Sequence, residues 1–256
     1  MTKLYYETEL GKLYHGDCLK IMKDISDKSI DMILCDMPYG TTSCKWDIVI
    51  DLDKMWDHYK RIIKNNGAIV LFGQEPFSSL LRCSNLKMYK YDWIWDKHIP
   101  FGMGFAKYRP MQQTELISVF CKEKTKYNPQ MIKRDKPIKQ TTGTTTTDVG
   151  GFPKFDFQKN KIYKYKNPIT LIAIPKIPNS KGTLIPTQKP VKLFEYLIKT
   201  YTNKNDLVLD NCAGSGTTGI ACLNLKRKFI LIEKEEEYYR IAQCRIHEVA
   251  KINKLF

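Results

Sequence analysis

Asp36-Met37-Pro38-Tyr39-Gly40 places a carboxylate, a rigid proline and an aromatic ring within one turn. The apolar run Ile30–Cys35 ahead of it predicts a buried strand of a parallel sheet. Open α/β sheets bind ligands at the carboxyl ends of such strands. A carboxylate there can accept a hydrogen bond from an exocyclic amine. Proline stiffens the turn and lacks an N–H, so neighbouring carbonyls can point at the same amine. The tyrosine offers a flat face on which a base can stack.

A second constellation lies far along the chain. After the predicted strand Leu207–Asp210, Gly214-Ser215-Gly216-Thr217-Thr218-Gly219 fits the G-x-G-x-x-G pattern, and Glu233 follows nineteen residues past Gly214. The glycines let the backbone approach a nucleotide, and the acid can take both hydroxyls of a ribose. A nicotinamide dinucleotide fits this pattern too, which makes an oxidoreductase a rival reading. Only one helix, from about Glu235 to Lys251, is read after Glu233, so no second mononucleotide half is expected there. The sheet must then be completed by strands from the start of the chain. That arrangement brings the Asp36 turn and the glycine loop to one carboxyl edge.

The elements that must position these residues alternate. Expected are a strand over Lys12–His15, a helix from Leu19 to about Ile25 that Asp17 caps or leaves free for a ligand, and a helix over Asp53–Lys64. Asn65-Asn66-Gly67 is expected to stop that helix before a buried strand, Ala68–Phe72, and a helix, Phe77–Arg82. The aromatic run Tyr89–Asp96 and the run Glu115–Cys121 read as an antiparallel edge. Thr41 to Asp47 is a polar loop in which Trp46 is either a flap over the site or an anchor. Pro190 falls in the first turn of a later helix. Lys189 just before it is a cation where the helix dipole disfavours one, a conflict that an anionic ligand or simple solvent exposure would resolve.

Lysine and arginine number 42 against 27 acids in the 256 residues, a net charge of +15 that suits a polyanion, nucleic acid first. Twelve basic residues against four acids fall between Lys122 and Lys166, where apolar periodicity is lost. This stretch includes Lys133, Arg134, the low-complexity run Thr141–Thr147, and lysines alternating with aromatics over Phe155–Tyr165. It reads as a basic insert facing DNA, as do Lys107 and Arg109 after a glycine-rich turn. The eight cysteines form no C-x-x-C, and the four histidines are scattered, so free thiols in a reducing cytoplasm and no metal site are expected. No apolar run is long enough for a membrane span, and no signal-peptide core is present.

Four stretches in this order, Asp36–Tyr39, Pro186-Thr187-Gln188-Lys189-Pro190, Asp210–Thr218 and Phe229–Glu233, resemble the DNA amino-methyltransferases that use S-adenosylmethionine. With the acid-proline-tyrosine motif first and the glycine motif last, the chain is similar to their permuted beta group. The resemblance covers roughly residues 10–121 and 184–250. It implies a circularly permuted, Rossmann-like methyltransferase sheet, mostly parallel with an antiparallel edge, formed by residues 1–121 and 184–256. Residues 122–183 would be a target-recognition insert.

Carried over by position, the resemblance implies that Asp36 accepts from the target amino group. A carbonyl near Met37 and Pro38 would take the second hydrogen, and Tyr39 would stack on the extruded base. Ala213, Gly214, Ser215, Gly216, Thr217 and Thr218 would form the donor loop, its glycines and serine around the methionine part, with Asp210 beneath. Glu233 would bind the ribose hydroxyls, Asp17 would lie near the adenine, and Lys189 would flank the donor's carboxylate. Met37 stands where the family usually has proline, and Asn211-Cys212 where it usually has Pro-Phe.

The implied reaction is direct attack by an exocyclic amine of a flipped base, without a covalent enzyme intermediate. Aspartate at position 36 favours adenine N6 over cytosine N4, since cytosine members tend to have serine there. The rival classes are the oxidoreductase and an inactive DNA-binding module. Duplex DNA is the expected partner, and a homodimer and a cognate restriction enzyme are partners known among such relatives.

Overall fold

A computed structural model describes residues 5–40, 47–139, 161–177 and 188–253. The Thr41–Trp46 part of the predicted flap, the threonine run and Pro186-Thr187 lie outside the described residues. The chain gathers into two compact units, one made of 1–128 with 170–256 and the other of 129–169.

The first unit is built on a sheet of nine described strands. In chain order these are β1 (Tyr5–Glu7), β2 (Gly11–His15), β3 (Ile30–Cys35), β4 (Ile63–Gly73), β5 (Tyr89–Phe101) and β6 (Gln112–Phe120). In the second unit β7 (Ile132–Lys139) and β8 (Ile162–Lys166) form a separate antiparallel pair. The first unit resumes with β9 (Leu171–Ala173), β10 (Leu207–Asp210) and β11 (Lys228–Glu233). The order across the large sheet is β1-β2-β11-β10-β3-β4-β6-β5-β9. The five strands from β2 to β4 run parallel, and β6 lies antiparallel between β4 and β5.

The helices of this unit are α1 (Cys18–Ile21), α2 (Leu52–Ile62), α3 (Phe77–Ser84), α4 (Val191–Tyr201), α5 (Thr217–Leu225) and α6 (Glu236–Asn253). Strand side chains alternate between faces. Met32 and Leu34 of β3 join Val70 and Phe72 under α4, α5 and α6. Ile33 and Cys35 join Ile69 and Leu71 under α1, α2 and α3. Burial on both faces explains why these strands are apolar runs rather than alternating ones. The helices that follow β3 and β10 therefore lie on opposite faces. The crevice between these two adjacent strands is the topological switch point, where a doubly wound sheet binds its ligand.

Three expectations change. Asn65-Asn66-Gly67 lies inside β4, not at a helix end. The helix stops at Ile63, where the backbone is already extended, and the carbonyls of Asn65 and Asn66 accept from the amides of Glu123 and Lys126. Pro190 precedes α4 as its N-cap, with ψ of 133°, and does not occupy the first turn. The basic stretch, expected to lack periodic structure, contains the β7–β8 pair. Both strands are mostly exposed, so neither carries an apolar face that a pattern would reveal. Among the described residues, no helix is long and apolar enough to cross a membrane.

Candidate active site

The parallel strands end together. Register pairs Glu233 with His15, Asp210 with Leu231, and Leu209 with Ile33. The turns after β2, β11, β10 and β3 thus open on one side of the sheet. There they line a cavity of about 340 Å³, a size that suits a small-molecule ligand. Asp17, Asp36, Pro38, Tyr39, Lys189, Asp210, Ala213, Gly214, Ser215, Thr217 and Glu233 all contribute to its wall. Gly216 and Thr218, expected in the donor loop, do not line it.

On the glycine-loop side, each chemical group is held by short-range geometry. Both Glu233 oxygens accept backbone amides, from Gly214 at 2.7 Å and from Glu235 at 2.8 Å. Burial raises the Glu233 carboxyl, and these amides oppose the rise. Arg245 of α6 donates to the Ser215 carbonyl at 2.5 Å and to its hydroxyl at 2.8 Å, so a closing-helix cation anchors the loop. Sequence reasoning missed this residue, which lies in an amphipathic helix with no motif around it.

Gly216 has a φ of +77°, and a Cβ there would lie 2.9 Å from the Cβ of Ala242 and 3.2 Å from its Cα. Gly216→Ala is expected to cost about 2 kcal/mol through strain and close contact, read as a lowered melting temperature.

Asp210 is 3% exposed. It accepts from the Thr218 hydroxyl and from the Cys212 amide. Burial pushes its carboxyl up to about 7 from 3.8. A folded-state value raised this way favours the protonated native form. The associated stability is full below the unfolded value near 3.8 and is lost as pH rises through about 7. Asp210→Asn keeps one acceptor oxygen for the Cys212 amide, turns the other position into an amide donor that the Thr218 hydroxyl can accept, and cannot ionise. Melting curves across this window are expected to fall less steeply for the variant than for the wild type.

Asp17 caps α1, its carboxylate accepting from the Lys20 amide at 3.1 Å, while still lining the cavity. At the position where the family usually has Pro-Phe, the Tyr59 hydroxyl donates to Asn211 Oδ1 at 2.5 Å, and Cys212 faces the cavity. The missing aromatic is thus replaced by a buried polar anchor and a thiol.

The Asp36 side is a charged network. Lys189 Nζ lies 2.5 Å from Asp36 Oδ2 and 3.2 Å from Glu115 Oε1. The Tyr39 hydroxyl is 2.5 Å from Asp36 Oδ1 and 2.9 Å from that same Glu115 oxygen. Lys97 binds the other Glu115 oxygen at 2.7 Å. Phe77 stacks on the Tyr39 ring at 5.2 Å. The Lys189 side chain is only 11% exposed, so two carboxylates of the chain itself compensate the cation, not solvent.

Burial raises the Asp36 carboxyl; Lys189 opposes this and Glu115 reinforces it. Burial would raise Glu115 as well, but Lys189 and Lys97 outweigh it and hold that carboxyl below its ordinary value. Glu115 and Lys97 were not legible as site residues. They come from β5 and β6, whose antiparallel pairing sets Trp95 opposite Glu115 at the carboxyl edge of the parallel strands.

Lys107 and Arg109 are exposed and do not line the cavity. Arg109 lies over the Phe105 ring at 5.0 Å. Lys133 and Arg134 belong to the second unit, where Arg134 donates to the Tyr165 carbonyl. Among the described residues, no cluster of His, Cys, Asp and Glu forms a metal site.

A doubly wound sheet with an acid-proline-tyrosine turn and a glycine loop on one cavity is the architecture of a Rossmann-like methyltransferase. The model of the DNA methylase family, N6_N4_Mtase, matches residues 30–244, and the chain belongs to that family. It is an S-adenosylmethionine-dependent DNA methyltransferase. The Type II methyltransferase M2.LlaDCHI of Lactococcus lactis subsp. cremoris is 29% identical over 98% of this chain and 94% of its own. The DNA adenine methyltransferase YhdJ of Escherichia coli (strain K12) is 27% identical over 97% and 90%. The crystal structure of the M1.HpyAVI–SAM complex superposes with a TM-score of 0.62 at 27% identity, covering 92% of this chain and 98% of that one. The cytosine-N4-specific PvuII methyltransferase, at 17% identity and a TM-score of 0.67, shares the fold.

Proposed function

We propose that the protein methylates the exocyclic N6 of adenine in duplex DNA after the base has swung out of the helix. The observation that carries this reading is that Asp36, Pro38 and Tyr39 line the same cavity as Gly214, Ser215 and Glu233. The cavity fits the methyl donor in its residues. Glu233 is an acceptor held by two amides, ready for ribose hydroxyls. Gly214 and Ser215 would present backbone to the methionine part, Asp17 would lie toward the adenine, and Lys189 would be a cation near the carboxylate end; all four line the cavity. Bound there, S-adenosylmethionine supplies an electrophilic methyl group.

The chain's own residues prepare the amine. Its lone pair is conjugated with the ring and is a poor nucleophile. Asp36 accepts one hydrogen and a carbonyl near Met37 and Pro38 accepts the other, drawing the nitrogen toward tetrahedral geometry. Backbone atoms do this work, so methionine at 37 is tolerated. The carbon–nitrogen bond would form as the methyl carbon–sulfur bond breaks, its electron pair staying on sulfur as a neutral thioether, and the surplus proton on nitrogen would pass to the Asp36 carboxylate. Stacking on Tyr39 offsets part of the few kcal/mol that base extrusion costs. Adenine is supported by Asp36 itself, where cytosine-specific members tend to have serine, and by the similarity to YhdJ, a DNA adenine methyltransferase.

Residues 122–183 serve as the target-recognition segment, with Lys133 and Arg134, and with Lys107 and Arg109 in the first unit, on DNA phosphates. The type II names of several relatives support a partner restriction enzyme. The test is nucleoside analysis of duplex DNA incubated with the protein and radiolabelled S-adenosylmethionine. Label in N6-methyladenine supports the reading, and label in N4-methylcytosine or in no base refutes it.

A further inference from the structure

Asp36 has two donors, and both have the same second acceptor. Tyr39 and Lys189 each reach Glu115 Oε1, at 2.9 and 3.2 Å, while Lys97 holds Glu115 Oε2. A phenol has one proton, so Tyr39 donates to one carboxylate at a time, whereas an ammonium with three can serve both. A target amine that is to donate to Asp36 meets a carboxylate with both oxygens engaged. Glu115 is 4% exposed and lies between two lysines, an anion that does not leave. From this geometry we propose that Glu115 is a positioning residue for methyl transfer, a fixed acceptor that keeps Tyr39 and Lys189 when Asp36 turns to the amine. The proposal rests on Asp36 as the amine's acceptor.

Without the Glu115 charge, Asp36 is the one side-chain carboxylate among the described residues that still pairs with Lys189, and it stays tied to it. Glu115→Gln is therefore expected to lower kcat about 100-fold by misplacing the acceptor, while binding of S-adenosylmethionine persists in calorimetry. The acidic limb of the kcat–pH profile is expected to move to lower pH, because an anion that disfavours ionised Asp36 is gone. The groups facing Asp36 are Lys189 ahead of α4, Glu115 on β6, Tyr39 in its own turn, Asp210 at the end of β10, and Cys35 of β3. Only Glu115 is altered. A merely structural role would lower the melting temperature and leave the limb in place.

A wild-type kcat, or a low kcat with an unmoved limb, overturns the proposal. If Glu115→Gln does not fold, the double variant with Lys97→Met removes the cation left without a partner and is measured the same way. Failure of both to fold assigns Glu115 to stability alone and also overturns it. Asp36→Ala is run alongside. Activity in that variant refutes the underlying reading of Asp36, whereas an inactive Asp36→Ala with a normal Glu115→Gln refutes this inference only.

Discussion

Asp36→Ala is expected to abolish methyl transfer, with kcat reduced about 1000-fold or more, while the fold and donor binding survive. The size follows from the chemistry. A preorganised acceptor that polarises a reacting group contributes on the order of 100- to 1000-fold, and here it also removes the proton. Survival of the fold follows from the network. Deleting the carboxylate leaves Lys189 paired with Glu115 at 3.2 Å and the Tyr39 hydroxyl with an acceptor at 2.9 Å. No buried cation is stranded, which would otherwise be strongly destabilising. Single-turnover assays with saturating donor and DNA measure the rate, and a thermal melt checks the fold. Appreciable transfer by a folded variant would remove Asp36 from the reaction.

Glu233→Ala should act on the opposite side of the cavity and on a different quantity. The carboxylate now satisfies the amides of Gly214 and Glu235 and faces the space where a ribose would lie. Hydrogen bonds to a charged group contribute about 1.5–3 kcal/mol each, so losing two hydroxyl partners predicts at least a 100-fold rise in Kd for S-adenosylmethionine. The orphaned amides also loosen the glycine loop. At saturating donor, kcat should recover far more than in the Asp36 variant. Calorimetry gives the Kd, and an unchanged value would exclude Glu233 as a ribose acceptor. Together the two variants separate chemistry from binding within one pocket.

The parallel half of this site was legible because each of its residues follows an apolar run. Asp36 after Ile30–Cys35, Asp210 after Leu207–Leu209 and Glu233 after Phe229–Ile232 sit where a twice-buried strand must end. The order of the motifs, acid-proline-tyrosine first and glycine loop last, pointed to the shared edge of β3 and β10 but not to the full strand order. Glu115 was not, because its place depends on the register of β6 against β4 and β5, and antiparallel register leaves no local mark. Lys189 gave half a signal. A cation before a helix pointed to an anionic ligand or to solvent, and it could not name Asp36 and Glu115, which are remote in sequence. β1 and β9 are three residues long and β7 and β8 are exposed, too short or too polar for a periodic pattern.

A crystal structure with S-adenosylmethionine bound tests most directly whether the glycine loop and the acid-proline-tyrosine turn form one reaction chamber. The expected result is a donor with its ribose hydroxyls on Glu233 and its transferable methyl facing the Asp36 carboxylate across the Pro38 turn. A donor seated away from Gly214, or one whose methyl faces an opening that Asp36 does not line, would contradict it.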